Sequence, residues 1–223
     1  MTFKLPGPTD RVSIIGSTGS GKTRFAAHIF SFSKFDKKPY VIVDFKGDDL
    51  LQQIDRAKQI TLRDTPSKPG LYYVRPMPGD EIEFENFLWR IWKRGNIGIY
   101  IDEGYMVNPN SKAFAAILTQ GRSLKIPCMT LTQRPARCSR FVFSEANHFA
   151  LFRMNDRRDV ENAIGSFTPR NDPVWDLEKP LAEYNCRWYD NKQNYSCRIL
   201  PVPDDETILQ RYDDALRVRN RGL

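Results

Sequence analysis

The sequence predicts an α/β fold of three layers, with helices on both faces of a largely parallel sheet. Short apolar runs alternate with stretches whose apolar residues recur at three- and four-residue steps, the order produced by strands joined through crossover helices. A glycine-rich turn joins the first run to the first stripe, and a later run ends on the adjacent acids Asp102 and Glu103. At 223 residues the chain can bury one good core. Residues 1–223 therefore read as a single domain, with a hairpin and helix at about 180–223 as a C-terminal appendage.

Arg11 to Ile15 is the first strand, and the helix after the glycine turn carries Phe25, Ala26, Ile29 and Phe30 on one face. Tyr40 to Asp44 is the next strand and, beyond a polar stretch, Leu71 to Val74 another. Phe84, Phe87, Leu88, Ile91 and Trp92 stripe a helix that packs on the sheet. Ile97 to Ile101 is a continuous apolar strand leading to Asp102 and Glu103. Phe114, Ile117, Leu118 and Gly121 stripe the following helix, and Ile126 to Leu131 and His148 to Phe152 add two strands. Asp156 reads as the N-cap of a helix stopping at Gly165, because its carboxylate can accept from first-turn N–H groups.

Glu183 to Leu200 reads as a hairpin turning at Asn191 and Lys192, a register that sets Cys186 opposite Cys197, unbonded. The tail from Asp204 to Arg219 opens on Asp204, Asp205 and Glu206 and closes on Arg217 and Arg219, which suits both ends of a helix dipole. Its stripe of Ile208, Leu209, Tyr212, Ala215 and Leu216 is read as packing on the domain rather than on a partner.

Composition narrows the function classes. Hydrophobic residues make up 40% and charged residues 27%, values of an ordinary globular chain. No apolar run is long enough to span a bilayer, and Pro6 and Pro8 stand where a signal peptide would place its apolar core. The expectation is a protein without a transmembrane segment of its own. A net charge of +7 favours a polyanionic partner. The four cysteines lack the paired spacing of zinc sites and are expected as thiols.

GSTGSGKT carries the chemistry. Gly16, Ser17, Thr18, Gly19, Ser20, Gly21, Lys22 and Thr23 fit G-x-x-x-x-G-K-[ST] between a strand and an amphipathic helix, the context that the motif requires. Its glycines let main-chain N–H groups curl around phosphate oxygens, and the helix N-terminus adds positive potential. Lys22 would bring an ammonium to the β- and γ-phosphates of ATP, and the Thr23 hydroxyl would hold Mg²⁺. Hydrolysis also needs a carboxylate near the metal and a group that activates water, both at the C-terminal edge of the sheet. Asp102 suits the first role and Glu103 the second.

Together with two further segments, these residues resemble the FtsK/HerA superfamily of DNA-pumping ATPases, which have a P-loop fold of the RecA/ASCE type. VIVDFKGDDL is similar to the family's D-P-K-G-[ED]-L segment, with Phe45 in place of proline. QGRSLKIPCMTLTQRP is similar to G-R-x-x-G-I leading into a strand that ends in T-Q-R-P, with Lys125 replacing the second glycine. The resemblance implies that Gln133 reads the γ-phosphate and that Arg122 reaches the ATP of a neighbouring subunit, with Arg134 and Arg153 as rivals. It also implies a homo-oligomeric ring, a hexamer, acting on double-stranded DNA.

The lone motor most resembles the genome-packaging ATPases of tailless icosahedral viruses with internal membranes. That likeness implies capsid-vertex or membrane-associated portal proteins as partners, and a place in the cytoplasm of a prokaryotic host or at the virion vertex. A pump for conjugation or chromosome transfer and a nucleotide-binding assembly factor without motor action stay open. Two basic groups are candidates for DNA contact: Arg134, Arg137 and Arg140 after the glutamine, and Lys34, Lys37 and Lys38 after the first helix, the latter also readable as a solvated surface.

Overall fold

A computed structural model describes residues 5–159, 161, 181–191 and 196–217. Among these, nine strands form one sheet: β1 (Arg11–Ile15), β2 (Pro39–Asp44), β3 (Lys58–Gln59), β4 (Gly70–Val74), β5 (Gly98–Asp102), β6 (Cys128–Thr132), β7 (His148–Leu151), β8 (Asn185–Asp190) and β9 (Ser196–Pro201). Their spatial order is β3-β4-β2-β5-β6-β1-β7-β8-β9. Every pairing from β3 across to β7 is parallel, and the hairpin β8–β9 continues the sheet antiparallel to β7.

The helices are α1 (Lys22–Phe30), α2 (Asp49–Gln52), α3 (Glu81–Arg94), α4 (Lys112–Gln120), α5 (Phe141–Ser144), α6 (Arg157–Asp159) and α7 (Asp205–Arg217). Two apolar layers result. Ile14, Ile42 and Tyr100 face Phe25, Phe30 and Tyr212 on one side, while their neighbours Ile15, Val43 and Ile101 face Phe87, Phe114 and Ile117 on the other. Strands buried on both faces favour apolar residues at nearly every position, which is why β2 and β5 read as near-continuous runs, while the buried Ser13 of β1 donates to the Val142 carbonyl.

The expected helices and strands form with boundaries shifted by a residue or two, and α3 buries Phe84, Phe87, Leu88 and Ile91. The tail helix packs on the domain: Tyr212 Oη donates to the Ala27 carbonyl at 2.9 Å, and Arg24 pairs with Asp205 at 2.6 Å. Asp204 caps α7 by accepting from Thr207 N at 2.7 Å. Asp156 likewise accepts from Arg158 N at 2.8 Å, whereas the expected helix stop at Gly165 and Arg219 lie outside the described residues.

The hairpin register corrects one expectation. Asp190 pairs with Ser196, whereas a two-residue turn at Asn191 and Lys192 would have paired it with Gln193. Cys186 consequently stands opposite Leu200, and Cys197 opposite Tyr189. The two cysteines are not cross-strand partners, because the observed pairing is displaced by three residues from that register. The polar stretch after β2 also holds α2 and β3, which are too short and polar to show a periodic signal.

Candidate nucleotide site

The glycine loop is pinned to the tips of two neighbouring strands. Gly16 N donates to the Thr132 carbonyl at 3.2 Å and Ser17 N to the Arg153 carbonyl at 2.9 Å, so the ends of β1, β6 and β7 set its position. A side chain at Gly16 would place its Cβ 2.5 Å from Phe152 Cβ, a clash that only glycine avoids. Gly21 sits at φ 94° as it turns the chain into α1, a left-handed geometry that glycine adopts without steric cost. The first-turn N–H groups of α1 are thereby left facing the crevice, where an anion is favoured.

Lys22 is buried, and its Nζ donates to the Ser17 carbonyl at 3.0 Å. Burial pulls its pKa below the ordinary lysine value, against the opposing attraction of Glu103. A triphosphate would relieve that penalty by giving the ammonium a full counter-charge.

Across the crevice, Asp44 and Asp102 pair in register at the ends of β2 and β5. Burial, reinforced by Glu103, Asp44 and Asp48, pushes the Asp102 carboxyl up to about 7. Glu103 follows in the left-handed region, φ 60° and ψ 62°. In a continuing strand, adjacent residues would point to opposite faces. The left-handed step ends the strand, and both acids act electrostatically on Lys22 in the crevice. Glu103 is buried and pairs through Oε1 with Lys46, while Oε2 has no hydrogen-bond partner among the described residues.

Gln133, immediately after β6, links the loop to the acid side: its amide oxygen accepts from Thr18 Oγ1, and its Nε2 donates to Tyr105 Oη at 3.2 Å. Beside the loop, Tyr184 packs close to Gly21, and the Arg24 guanidinium lies 5.2 Å from the Tyr184 ring centre.

A curated relative, the DNA packaging ATPase P9 of Enterobacteria phage PRD1, is 38% identical over 224 residues, covering 96% of each chain. The chain belongs to the P9 family of DNA packaging ATPases. No protein-family model matches it. The genome packaging NTPase B204 of Sulfolobus turreted icosahedral virus 2, solved with AMPPCP, superposes with a TM-score of 0.69 at 21% identity, covering 88% of this chain and 100% of that one. The pCW3 conjugation coupling protein TcpA, solved with ATPγS, gives 0.66 at 15% identity over 95% of this chain and 65% of that one. At these identities the likeness shows the fold, and it is the fold that the FtsK/HerA resemblance implied.

In this packaging ATPase the loop Gly16–Thr23, Asp102, Glu103 and Gln133 meet at one edge of the sheet, and Arg122 does not join them. Arg122 is exposed on the turn between α4 and β6, at the opposite edge, beyond reach of its own loop. Its rivals Arg134 and Arg153 follow β6 and β7 on the loop side. The lysine group splits: Lys34 and Lys37 are exposed, but Lys38 is buried and donates to the carbonyls of Pro8 at 3.1 Å and Lys125 at 3.0 Å. Lys38 is therefore structural. Lys46 and Tyr105 were not predicted as site residues. The signal for Lys46 stood in the D-F-K-G segment, whereas Tyr105 has no motif around it.

Proposed function

We propose that this packaging ATPase is a ring-forming motor that couples hydrolysis of Mg-ATP to movement of double-stranded DNA, with residues 1–223 acting as one motor unit. The observation that carries the reading is the meeting of an anion-binding loop, two buried acids and a strand-tip amide at one edge of the sheet. Main-chain N–H groups from Gly16 to Thr23 hold the phosphates, and Lys22 exchanges the Ser17 carbonyl for phosphate oxygens.

A divalent cation fits the acid side, because its charge would offset the crowding of the buried Asp102 carboxyl by Glu103, Asp44 and Asp48. Among the described residues no three metal-ligating side chains form a cage, as suits a Mg²⁺ ion held mainly by phosphate oxygens and water. Thr23 and Asp102 would hold it, and when bound it neutralises charge on the transferring phosphoryl group. Glu103 takes a proton from the attacking water and Gln133 orients that water against the γ-phosphate. Arg122, exposed at the opposite edge, reaches the nucleotide of an adjacent subunit in this reading.

DNA contact is assigned to two segments beside the site. Ala136 N donates to Asp159 Oδ1 at 3.2 Å, which joins the Arg134–Arg140 segment to α6. Arg134, Arg137, Arg140, Arg157 and Arg158 are all exposed there. Such a cluster suits phosphate contacts that carry no sequence information. The remaining features of the reading are a hexameric ring, docking on capsid-vertex or portal proteins, and a place in the host cytoplasm or at the vertex. Among the described residues no helix is long and apolar enough to cross a membrane.

Hydrolysis measured with and without duplex DNA, alongside the mass of the assembled species with nucleotide bound, tests the motor. Stimulation by duplex in a ring-sized species is the expected result. A monomer whose turnover ignores DNA would replace the motor with a nucleotide-binding assembly factor.

A further inference from the structure

The segment between β2 and α2 delivers a cation to the water-activating acid. Asp44, fully buried at the end of β2, accepts from Lys46 N at 3.0 Å, Gly47 N at 2.8 Å, Asp48 N at 2.8 Å and Tyr73 Oη at 2.8 Å. Arg75 Nη2 donates to the Lys46 carbonyl at 3.0 Å. The main chain of Lys46 is thus held through both its N–H and its carbonyl, and the side chain leaves a fixed root.

The ammonium ends on Glu103 Oε1, in an unequal pair: the lysine side chain is 42% exposed and the glutamate 3%. Surface pairs of this type contribute little when both partners are solvated. Here one partner is a buried carboxylate beside the buried Asp102, whose repulsion would displace it if it lacked a counter-charge. The other nearby ammonium, that of Lys22, is directed to the loop.

We propose that Lys46 is a positioning residue for hydrolysis, holding Glu103 by Oε1 so that Oε2 is the oxygen presented to the attacking water. This rests on the reading of Glu103 as the group that activates water. In the step itself the water oxygen bonds the γ-phosphorus, its proton passes to Glu103 Oε2, and the bond from phosphorus to the ADP oxygen breaks with its electron pair going to ADP. Lys46 exchanges no proton. It keeps the acceptor oxygen in place, and a misplacement of about 1 Å is enough to cost two orders of magnitude in rate.

The test compares Lys46→Met and Lys46→Arg, in the native chain and in a Glu103→Gln background, by steady-state and single-turnover ATP hydrolysis. The methionine variant keeps the main-chain bonds to Asp44, so the segment retains its root. The expected result for Lys46→Met is a kcat lower by about 10- to 100-fold, with KM for ATP within about 3-fold. Lys46→Arg should recover most of the loss. In the Glu103→Gln background Lys46→Met should change the rate by less than about 3-fold, because two residues that act through one group are not additive. A full-sized loss in that background would overturn the proposal, as would a change in KM alone, or unchanged or faster turnover. Normal hydrolysis by Glu103→Gln alone would mark a different failure, that of the reading of Glu103, and would remove the basis for Lys46 with it.

Discussion

At the N-terminal edge of the sheet Arg11 donates to the carbonyls of Glu145 at 2.7 Å and Leu118 at 2.9 Å, Lys38 donates to two more, and His148 Nε2 lies 3.0 Å from Asp10. At the C-terminal edge, Asp102 and Glu103 stand beside Asp44 and Asp48, and Glu103 keeps an unpartnered oxygen among the described residues. Both edges bury charge and pair much of it, but only the C-terminal edge also crowds several carboxylates around Asp102. Buried charge that is matched contributes to the fold, whereas buried like charges destabilise it unless a ligand completes them. On the proposed reading, the difference separates residues that hold this packaging ATPase together from residues that bind magnesium and a triphosphate.

The sharpest way to break that division is Arg122, which lies on the structural edge yet is assigned to catalysis across a subunit boundary. Arg122→Ala is expected to lower hydrolysis by roughly a thousandfold, the scale of a trans-acting arginine. Lys22→Ala should abolish it through loss of phosphate binding. Mixed in equal amounts, the two inactive variants should regain measurable turnover, since some interfaces then pair an intact loop with an intact arginine. If the mixture stays silent, the finger role passes to Arg134 or Arg153 and the N-terminal edge is structural throughout.

Arg11 offers the converse test. Arg11→Ala removes a buried guanidinium from two carbonyls and is expected to cost about 2–3 kcal/mol of stability, the range for bonds to a charged group plus the exposed acceptors. Chemical denaturation reads that loss. The kcat of the folded fraction should be unchanged, and a fall in kcat would tie this edge to the chemistry.

How much of this was legible in the sequence depends on the range of the interaction. β2 and β5 read directly because strands buried on both faces show near-continuous apolar runs, and the loop from Gly16 to Thr23 reads directly because backbone geometry dictates glycine at set intervals. Asp102 and Glu103 followed from their place at the end of β5. The hairpin register did not follow, since Asp190 pairs with Ser196 and nothing local in composition sets that pairing. Lys46 and Tyr105 were also missed as site residues. Their roles arise only when β2, β5 and β6 come together in space and the left-handed backbone at Glu103 ends β5.

The smallest expected effect is also the one with a signed pH dependence. Asp102→Asn removes a buried carboxylate from the crowd at the C-terminal edge, so the nucleotide-free chain should gain about 2 kcal/mol at pH 8, roughly half of what the full pKa difference would give because the site relaxes around the charge, while hydrolysis falls. The sign follows from the carboxyl lying at about 7 in the folded chain against 3.8 as a free group. Between those values the native state keeps a proton that the unfolded state has lost, so native stability declines as pH rises through the window. Asparagine has no such proton. The advantage of the variant should therefore be near zero around pH 4, grow steadily to pH 7 and level off above it. Melting curves of both proteins across that range, without nucleotide or magnesium, would show this, and a constant offset at all pH values would mean that Asp102 is matched by partners as well as the charges at the opposite edge are.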